Sequence, residues 1–324
     1  MSSDTKIDRH GFISSTSPHS SPETVTRDNA RIQKWQDMLT RWDYNIKRRR
    51  AFLKKRIRKG IPDCLRGVVW TKLANIQTIK NEYTENYYKN LTELDSNTVS
   101  IQDITRDYYR TFSGHVLFRD HGLCQDSLYR ILKAFSLHDP DLGYCQGMGV
   151  LAATFLMYMS EEDSFWMIVS LMRNYDIRDY YLPGMPGIYK AFYQINGVFR
   201  QVLPDLWDHF MEISVYPSMF APGWMMTLYM SYFKFEISLR IFDIFLNEGK
   251  KILFKVYIAL FKKSKKELIS MPCDVLLEKI PNLHEDFTAD SLIQSSLKFT
   301  LKKKKLQLFE KEYETNPSPE LKNW

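Results

Sequence analysis

The stretch Asp139-Pro140-Asp141-Leu142-Gly143-Tyr144-Cys145-Gln146-Gly147-Met148-Gly149-Val150-Leu151-Ala152-Ala153-Thr154-Phe155-Leu156-Met157-Tyr158-Met159 decides how this chain folds. Its first part is a turn: Pro140 presets φ and Gly143 permits a tight bend. Residues 150–159 are the longest apolar run, a buried-helix length well short of the roughly 18–20 residues of a membrane span. Gly147-Met148-Gly149-Val150-Leu151-Ala152 satisfies G-x-G-x-x-A, but the dinucleotide fingerprint needs a strand before its first glycine, and a polar turn stands there instead. The nucleotide reading fails. Gln146 then falls at a helix N-terminus, where unpaired N–H groups point outward. An uncharged amide in that place either caps the helix or positions a water.

Outward from this stretch the pattern stays helical. Ile32, Trp35, Met38, Leu39 and Trp42 recur at three- and four-residue steps, and a basic stretch runs into the stop signal Gly60-Ile61-Pro62. Further helical periods occupy 65–79, 100–112, 125–137, 146–159, 164–174, 185–203, 206–212, 224–232, 237–247, 251–263 and 274–280. No alternating strand of useful length and no repeat interrupts them. Apolar residues are 44% and aromatics 14%, enough for a sizeable core, while Gly and Pro number only 13 each in 324, too few for a turn-rich β fold. The expectation is one all-α unit of about twelve helices. Residues 1–29 are rich in Ser, Thr and Pro and read as a disordered leader, in which Asp8-Arg9-His10-Gly11-Phe12-Ile13 is a candidate docking patch. The tail from 314, with Pro317 and Pro319, reads as disordered too.

The formal charge of +7, from 45 basic against 38 acidic residues, collects in runs such as Lys47-Arg48-Arg49-Arg50, Lys54-Lys55-Arg56 and Lys302-Lys303-Lys304-Lys305. Solvated helix faces carry such runs. No phosphate-binding G-x-x-x-x-G-K-[ST] loop and no G-x-S-x-G elbow is present. Cys64, Cys124, Cys145 and Cys273 form no C-x-x-C pair, which fits a reducing cytosol. His115, His121, Cys124 and His138 lack metal-ligand spacing, and Cys145 reads as a small core residue rather than a nucleophile. The N-terminus carries no apolar signal region.

The segment Ser100-Ile101-Gln102-Asp103-Ile104-Thr105-Arg106-Asp107-Tyr108-Tyr109-Arg110 reads as a helix started by Ser100 and Asp103 in the manner of a capping box. Ile101, Ile104 and Tyr108 form an apolar stripe, and Asp103, Asp107 and Arg110 lie on another side. With Gly114 as terminator, Arg110 sits in the last turn and Asp107, one turn back, orients its guanidinium. Alone, such a pair is an ordinary surface salt bridge.

In order along the chain, Arg66-x-x-x-Trp70, Ile104-x-x-Asp107-x-x-Arg110 and Tyr144-Cys145-Gln146-x-Met148 resemble the TBC-domain family of Rab GTPase-activating proteins. Each motif is weak singly; three in this order are specific. The resemblance covers residues 60–266, including Gly60-Ile61-Pro62, Thr111-Phe112 with Phe118, Arg240-Ile241-Phe242-Asp243-Ile244-Phe245 and Glu248-Gly249. Gly11-Phe12 ahead of a Trp-bearing helix is similar to one subgroup. Ser113 and Phe242 depart from the family, which often has Pro and Trp there. The resemblance implies an all-α, V-shaped multi-helix TBC (Rab-GAP) domain at 60–266, preceded by the leader (1–29) and a basic helical lead-in (30–59). A C-terminal helical extension (267–313) and the tail (314–324) follow. It also implies a GTPase activator that completes the catalytic site of a GTP-bound Rab-family small GTPase and turns over no substrate alone. Arg110 would be the arginine finger and Gln146 the glutamine finger. Asp107 would orient Arg110, Arg66 and Trp70 would be scaffold, and Tyr144 and Cys145 complete the motif core. GTP and Mg would be bound by the partner, with no cofactor or metal of the chain's own. The setting implied is cytoplasmic, with peripheral contact on endomembranes through the basic runs. Two rival readings are a TBC scaffold or effector that binds a GTPase without activating it, and a basic nucleic-acid or membrane-surface adaptor. The fingers weigh against the first. The second lacks any interleaved stacking motif, so no nucleic acid is expected.

Overall fold

The computed structural model describes residues 6–13 and 22–315. Among them are eighteen α-helices and four 3-10 segments, with no strand beyond the isolated bridges Ile7–Ile13 and Phe12–His115. The all-α expectation holds, but about twelve helices was too few. Asn75, at φ +55°, breaks the single helix expected at 65–79, and Tyr87–Glu93 and Lys303–Thr315 are too short or too polar to announce themselves by period. The chain also forms two compact units rather than one, residues 1–174 and 175–324. The leader ends earlier than expected: a helix begins at Pro22, and residues 6–13 are folded against the first unit. Of the remaining leader and tail, residues 1–5, 14–21 and 316–324 lie outside the described residues, while Thr315 ends the last helix.

The first unit holds α1 (Pro22–Thr40), α2 (Trp42–Arg48), α3 (Arg50–Arg58), α4 (Asp63–Leu73), α5 (Ile76–Lys80), α6 (Tyr87–Glu93), α7 (Val99–Asp107), α8 (Gln125–His138), α9 (Met148–Leu156) and α10 (Glu161–Asn174). At its centre is α9, packed against α8 and α10. Met148, Leu151, Ala152, Ala153 and Phe155 are all buried, as an apolar-all-round helix requires. Each fully buried Leu or Phe contributes about 1.5–3 kcal/mol. Thr154 hides its hydroxyl in the same core by donating to the Val150 carbonyl at 2.8 Å. The start of α9 is set by Gly147, whose φ of +105° only glycine adopts without strain. At the far end α4 comes in close, because a Cβ on Gly67 would lie 2.0 Å from the Tyr158 carbonyl oxygen. Any side chain at 67 would push α4 off α9.

The second unit holds α11 (Pro186–Val202), α12 (Pro204–Glu212), α13 (Pro222–Met226), α14 (Phe235–Glu248), α15 (Lys251–Leu268), α16 (Cys273–Lys279), α17 (Ala289–Lys298) and α18 (Lys303–Thr315). The helix expected over 224–232 stops at Met226. Leu228 and Tyr229 then take positive φ, and Tyr229 is held there by donating its buried hydroxyl to the Leu253 carbonyl at 2.9 Å. Tertiary packing overrides a helical period. Phe242 is fully buried in α14 beside Phe245, and Gly249 at φ +75° ends that helix. No helix among the described residues is long and apolar enough to cross a membrane.

Candidate functional site

Helix α7 is capped by Thr98, whose hydroxyl accepts from the Ile101 N–H at 3.4 Å. The capping box expected at Ser100 does not form: the N-cap lies two residues earlier, and its N3 residue, Ile101, has no polar side chain to reciprocate. Ser100 has another partner: its Oγ accepts from the backbone N–H of Tyr144 at 3.2 Å. The helix ends at Asp107, and Tyr108–Arg110 tighten into a 3-10 turn, so Arg110 leaves from a turn rather than from the last α-helical turn. Ile101 and Ile104 bury the apolar stripe that fixes the helix's orientation.

Asp107 is the hinge of the site. One carboxylate oxygen accepts from Nη2 of Arg110 and the other accepts from the Tyr144 hydroxyl at 2.9 Å. Ser100 and Asp107 lie seven residues apart on one face of α7, so Tyr144 is fastened along that face at both its backbone and its phenol. Gly143 makes this possible: it sits at φ +63°, and a Cβ there would meet Ser100 Oγ at 2.5 Å. Burial, and then the neighbouring Asp107 carboxylate, push the Tyr144 phenol well above its ordinary range, so it serves as a donor. The Asp107 side chain is 13% exposed and that of Arg110 is 64% exposed. The carboxylate is sunk into the protein and the cation stands out from it.

The next residue, Thr111, abuts the first turn of α9, where a Cβ on Gly149 would come within 3.0 Å of Thr111 Oγ1. The turn into that helix is Cys145-Gln146-Gly147, closed by the Met148 N–H donating to the Cys145 carbonyl at 3.1 Å. Gln146 is exposed. Asp107–Tyr144 and Thr111–Gly149 thus join the arginine turn and the glutamine turn at the mouth of one helix. Cys145 is half-buried, its N–H donates to Met148 Sδ at 3.4 Å, and burial and Asp107 raise its thiol. A protonated, half-buried thiol is a poor nucleophile.

Arg66 and Trp70 occupy α4. Trp70 is fully buried against Phe155 and Tyr158, with centroids 6.3 and 5.0 Å away. Arg66 pairs with Asp63 and lies over the Tyr158 ring at 5.8 Å; its side chain is 4% exposed, against 44% for Asp63. Both side chains are buried, whereas Arg110 and Gln146 are exposed. His115 is buried at a backbone junction and His138 sits among Tyr83, Tyr87, Phe135 and Phe165, so the two play separate packing roles. Among the described residues no group of three or more His, Cys, Asp or Glu could hold a metal ion. Ser100, Gly143, Thr111 and Gly149 belong to the site without having been read as such. Only the glycine at a turn carried a local signal.

The Rab-GTPase-TBC domain family matches residues 63–269. The human ecotropic viral integration site 5 protein homolog is 32% identical over 316 residues, covering 96% of this chain and 38% of that protein. The Caenorhabditis elegans Rab GTPase-activating protein tbc-11 is 32% identical over 288 residues, 87% of this chain and 31% of that one. The chain spans about a third of the length of these curated relatives. Among solved structures, the Chlamydomonas flagellar RabGAP TBC domain aligns with a TM-score of 0.71 and 25% identity over 90% of this chain and 99% of that one. The Ypt/Rab-GAP domain of Gyp1p has the same fold, with a TM-score of 0.68 at 22% identity over 88% of this chain and 99% of its own. The chain belongs to the Rab-GTPase-TBC domain family.

Proposed function

We propose that the protein accelerates GTP hydrolysis by a Rab-family small GTPase, supplying Arg110 and Gln146 in trans to the GTP-bound partner. The observation that carries this reading is the Asp107 carboxylate, half-sunk between Tyr144 and an outward-facing Arg110. A guanidinium held through one terminal nitrogen and otherwise exposed is pre-oriented for an anion brought by another molecule. Hydrolysis of GTP spreads negative charge over the transferred phosphoryl oxygens, and a guanidinium aimed there stabilises the transition state. Arg110 has that task. The Gln146 amide both donates and accepts, so it positions the attacking water; it is no base. GTP and Mg stay with the partner, and the chain turns over nothing alone. Relatives whose names include Rab GTPase-activating proteins support the activity.

On this reading the protein acts from the cytoplasm. Its basic lead-in, where Arg49 and Arg56 lie over Phe52 at 4.3 and 5.2 Å beside a cavity of about 390 Å³, adds a peripheral contact with anionic endomembranes that raised salt releases.

A panel of GTP-loaded Rab-family GTPases, followed in single turnover, tests the activity. At least one is expected to hydrolyse its GTP about 10³-fold faster or more with the protein present, and Gln146→Ala is expected to remove most of that gain. Binding to several GTPases without acceleration of any would establish the scaffold reading instead.

A further inference from the structure

We propose that residues 6–13 are a strap that positions the arginine-bearing loop, with Phe12 as its positioning residue; the role rests on the GTPase-activating reading above. The strap is a preformed turn. Asp8 Oδ1 accepts from the N–H groups of His10 and Phe12 at 2.8 and 2.9 Å, and the Asp8 N–H donates to the Phe12 carbonyl at 2.8 Å. It lies on residues 112–116, beginning two residues after Arg110. The Ile13 N–H donates to the Gly114 carbonyl at 2.9 Å and the Val116 N–H donates to the Gly11 carbonyl at 3.0 Å. The Phe12 ring meets Phe112 edge-on at 5.4 Å and His115 at 4.8 Å.

The loop needs such support. Phe112 has φ +48°, a conformation strained for an ordinary side chain that persists only where its surroundings enforce it. His115 is fixed by both ring nitrogens: Nδ1 accepts from the Leu117 N–H at 3.1 Å, which leaves Nε2–H to donate to the His10 carbonyl at 2.7 Å. Burial lowers both histidines, His10 to about 4, so this neutral arrangement is the one present at neutral pH. Gly11, at φ +96°, lets the strap lie this close, since a Cβ there would sit 2.4 Å from His115 Nε2. The strap also reaches the buried motif: Arg9 lies 3.8 Å from Asp63, the partner of Arg66. One short segment therefore touches the neighbourhoods of both arginines, Arg66 and Arg110. Through Thr111, the loop it braces continues into the Arg110 turn.

The test is single-turnover hydrolysis by a responsive Rab-family GTPase with the full chain in excess. Phe12→Ala and, separately, Gly11→Val are expected to lower the saturating rate about tenfold or more. Half-saturation should move by less than about threefold, and Phe12→Leu should restore most of the rate. Added to Arg110→Ala, either change should cost less than about twofold, because the strap acts through that side chain. Wild-type saturating rates in both variants, a loss confined to half-saturation, or an undiminished loss on top of Arg110→Ala would each overturn the strap. Amide exchange at Ile13 and Val116, read without any GTPase, should quicken in Phe12→Ala, and unchanged exchange overturns the docking itself. Should Phe12→Ala fail to fold, Gly11→Val and Asp8→Ala carry the same comparison. A wild-type protein that accelerates no GTPase shows the activity reading to be the failed one and removes the strap's catalytic role with it, while the exchange result still reports on docking.

Discussion

Arg66 and Arg110 each follow an aspartate by three residues and each pairs with it, Arg66 with Asp63 and Arg110 with Asp107. Locally the two pairs are the same object. Their burial is opposite. In the first the arginine is enclosed under Tyr158 and the carboxylate faces outward; in the second the carboxylate is enclosed beside Tyr144 and the arginine faces outward. An enclosed guanidinium with hydrogen-bonded partners fastens α4 to the end of α9. An enclosed carboxylate with an exposed guanidinium offers an oriented positive charge to something outside the chain. Which member of an ion pair is buried decides whether it holds the fold or acts on a partner.

The comparison breaks most visibly in activity. Arg110→Ala is expected to lower single-turnover acceleration by about 10³-fold or more, with the urea midpoint unchanged, since its side chain is mostly in solvent. Arg66→Ala should do the reverse. Losing its pair and its contact with Tyr158 should cost about 1–3 kcal/mol in urea unfolding, while the folded variant keeps a rate within a few-fold of wild type. If Arg66→Ala abolished acceleration in a fully folded protein, the scaffold role would be wrong. The smallest effect belongs to Tyr144→Phe, which removes only the 2.9 Å donation to Asp107. A loss of roughly three- to tenfold in the saturating rate is expected, and no loss at all would separate the Tyr144 turn from the orientation of Arg110.

Much of this was legible because it is local. The apolar stretch 150–159 reads as a buried helix from composition alone, and α9 (Met148–Leu156) is one. The three-residue spacing of Asp107 and Arg110 forecasts their pairing. What escaped depends on residues far apart in the chain. Ser100 looks like a helix cap, and only the approach of Tyr144 from 44 residues away gives its hydroxyl a different partner. Leu228 and Tyr229 sit in a helical period, yet buried contacts hold them at positive φ. The Asp8–Ile13 patch reads only as a candidate docking patch, with no seat indicated. That its seat is the loop after Arg110, more than 100 residues on, is a fact of tertiary structure. Neither could the burial of Asp63 and Asp107 be told apart by spacing, and that is where the two arginines part company.

The most direct test of the outward-facing arginine is Arg110→Lys, assayed in single turnover against a responsive Rab-family GTPase at saturating protein. Lysine keeps the charge and loses the planar, multi-donor fork. The account predicts that the variant binds the GTPase as wild type does and remains impaired by about 10²-fold or more, close to Arg110→Ala. Near-wild-type turnover by Arg110→Lys would contradict it.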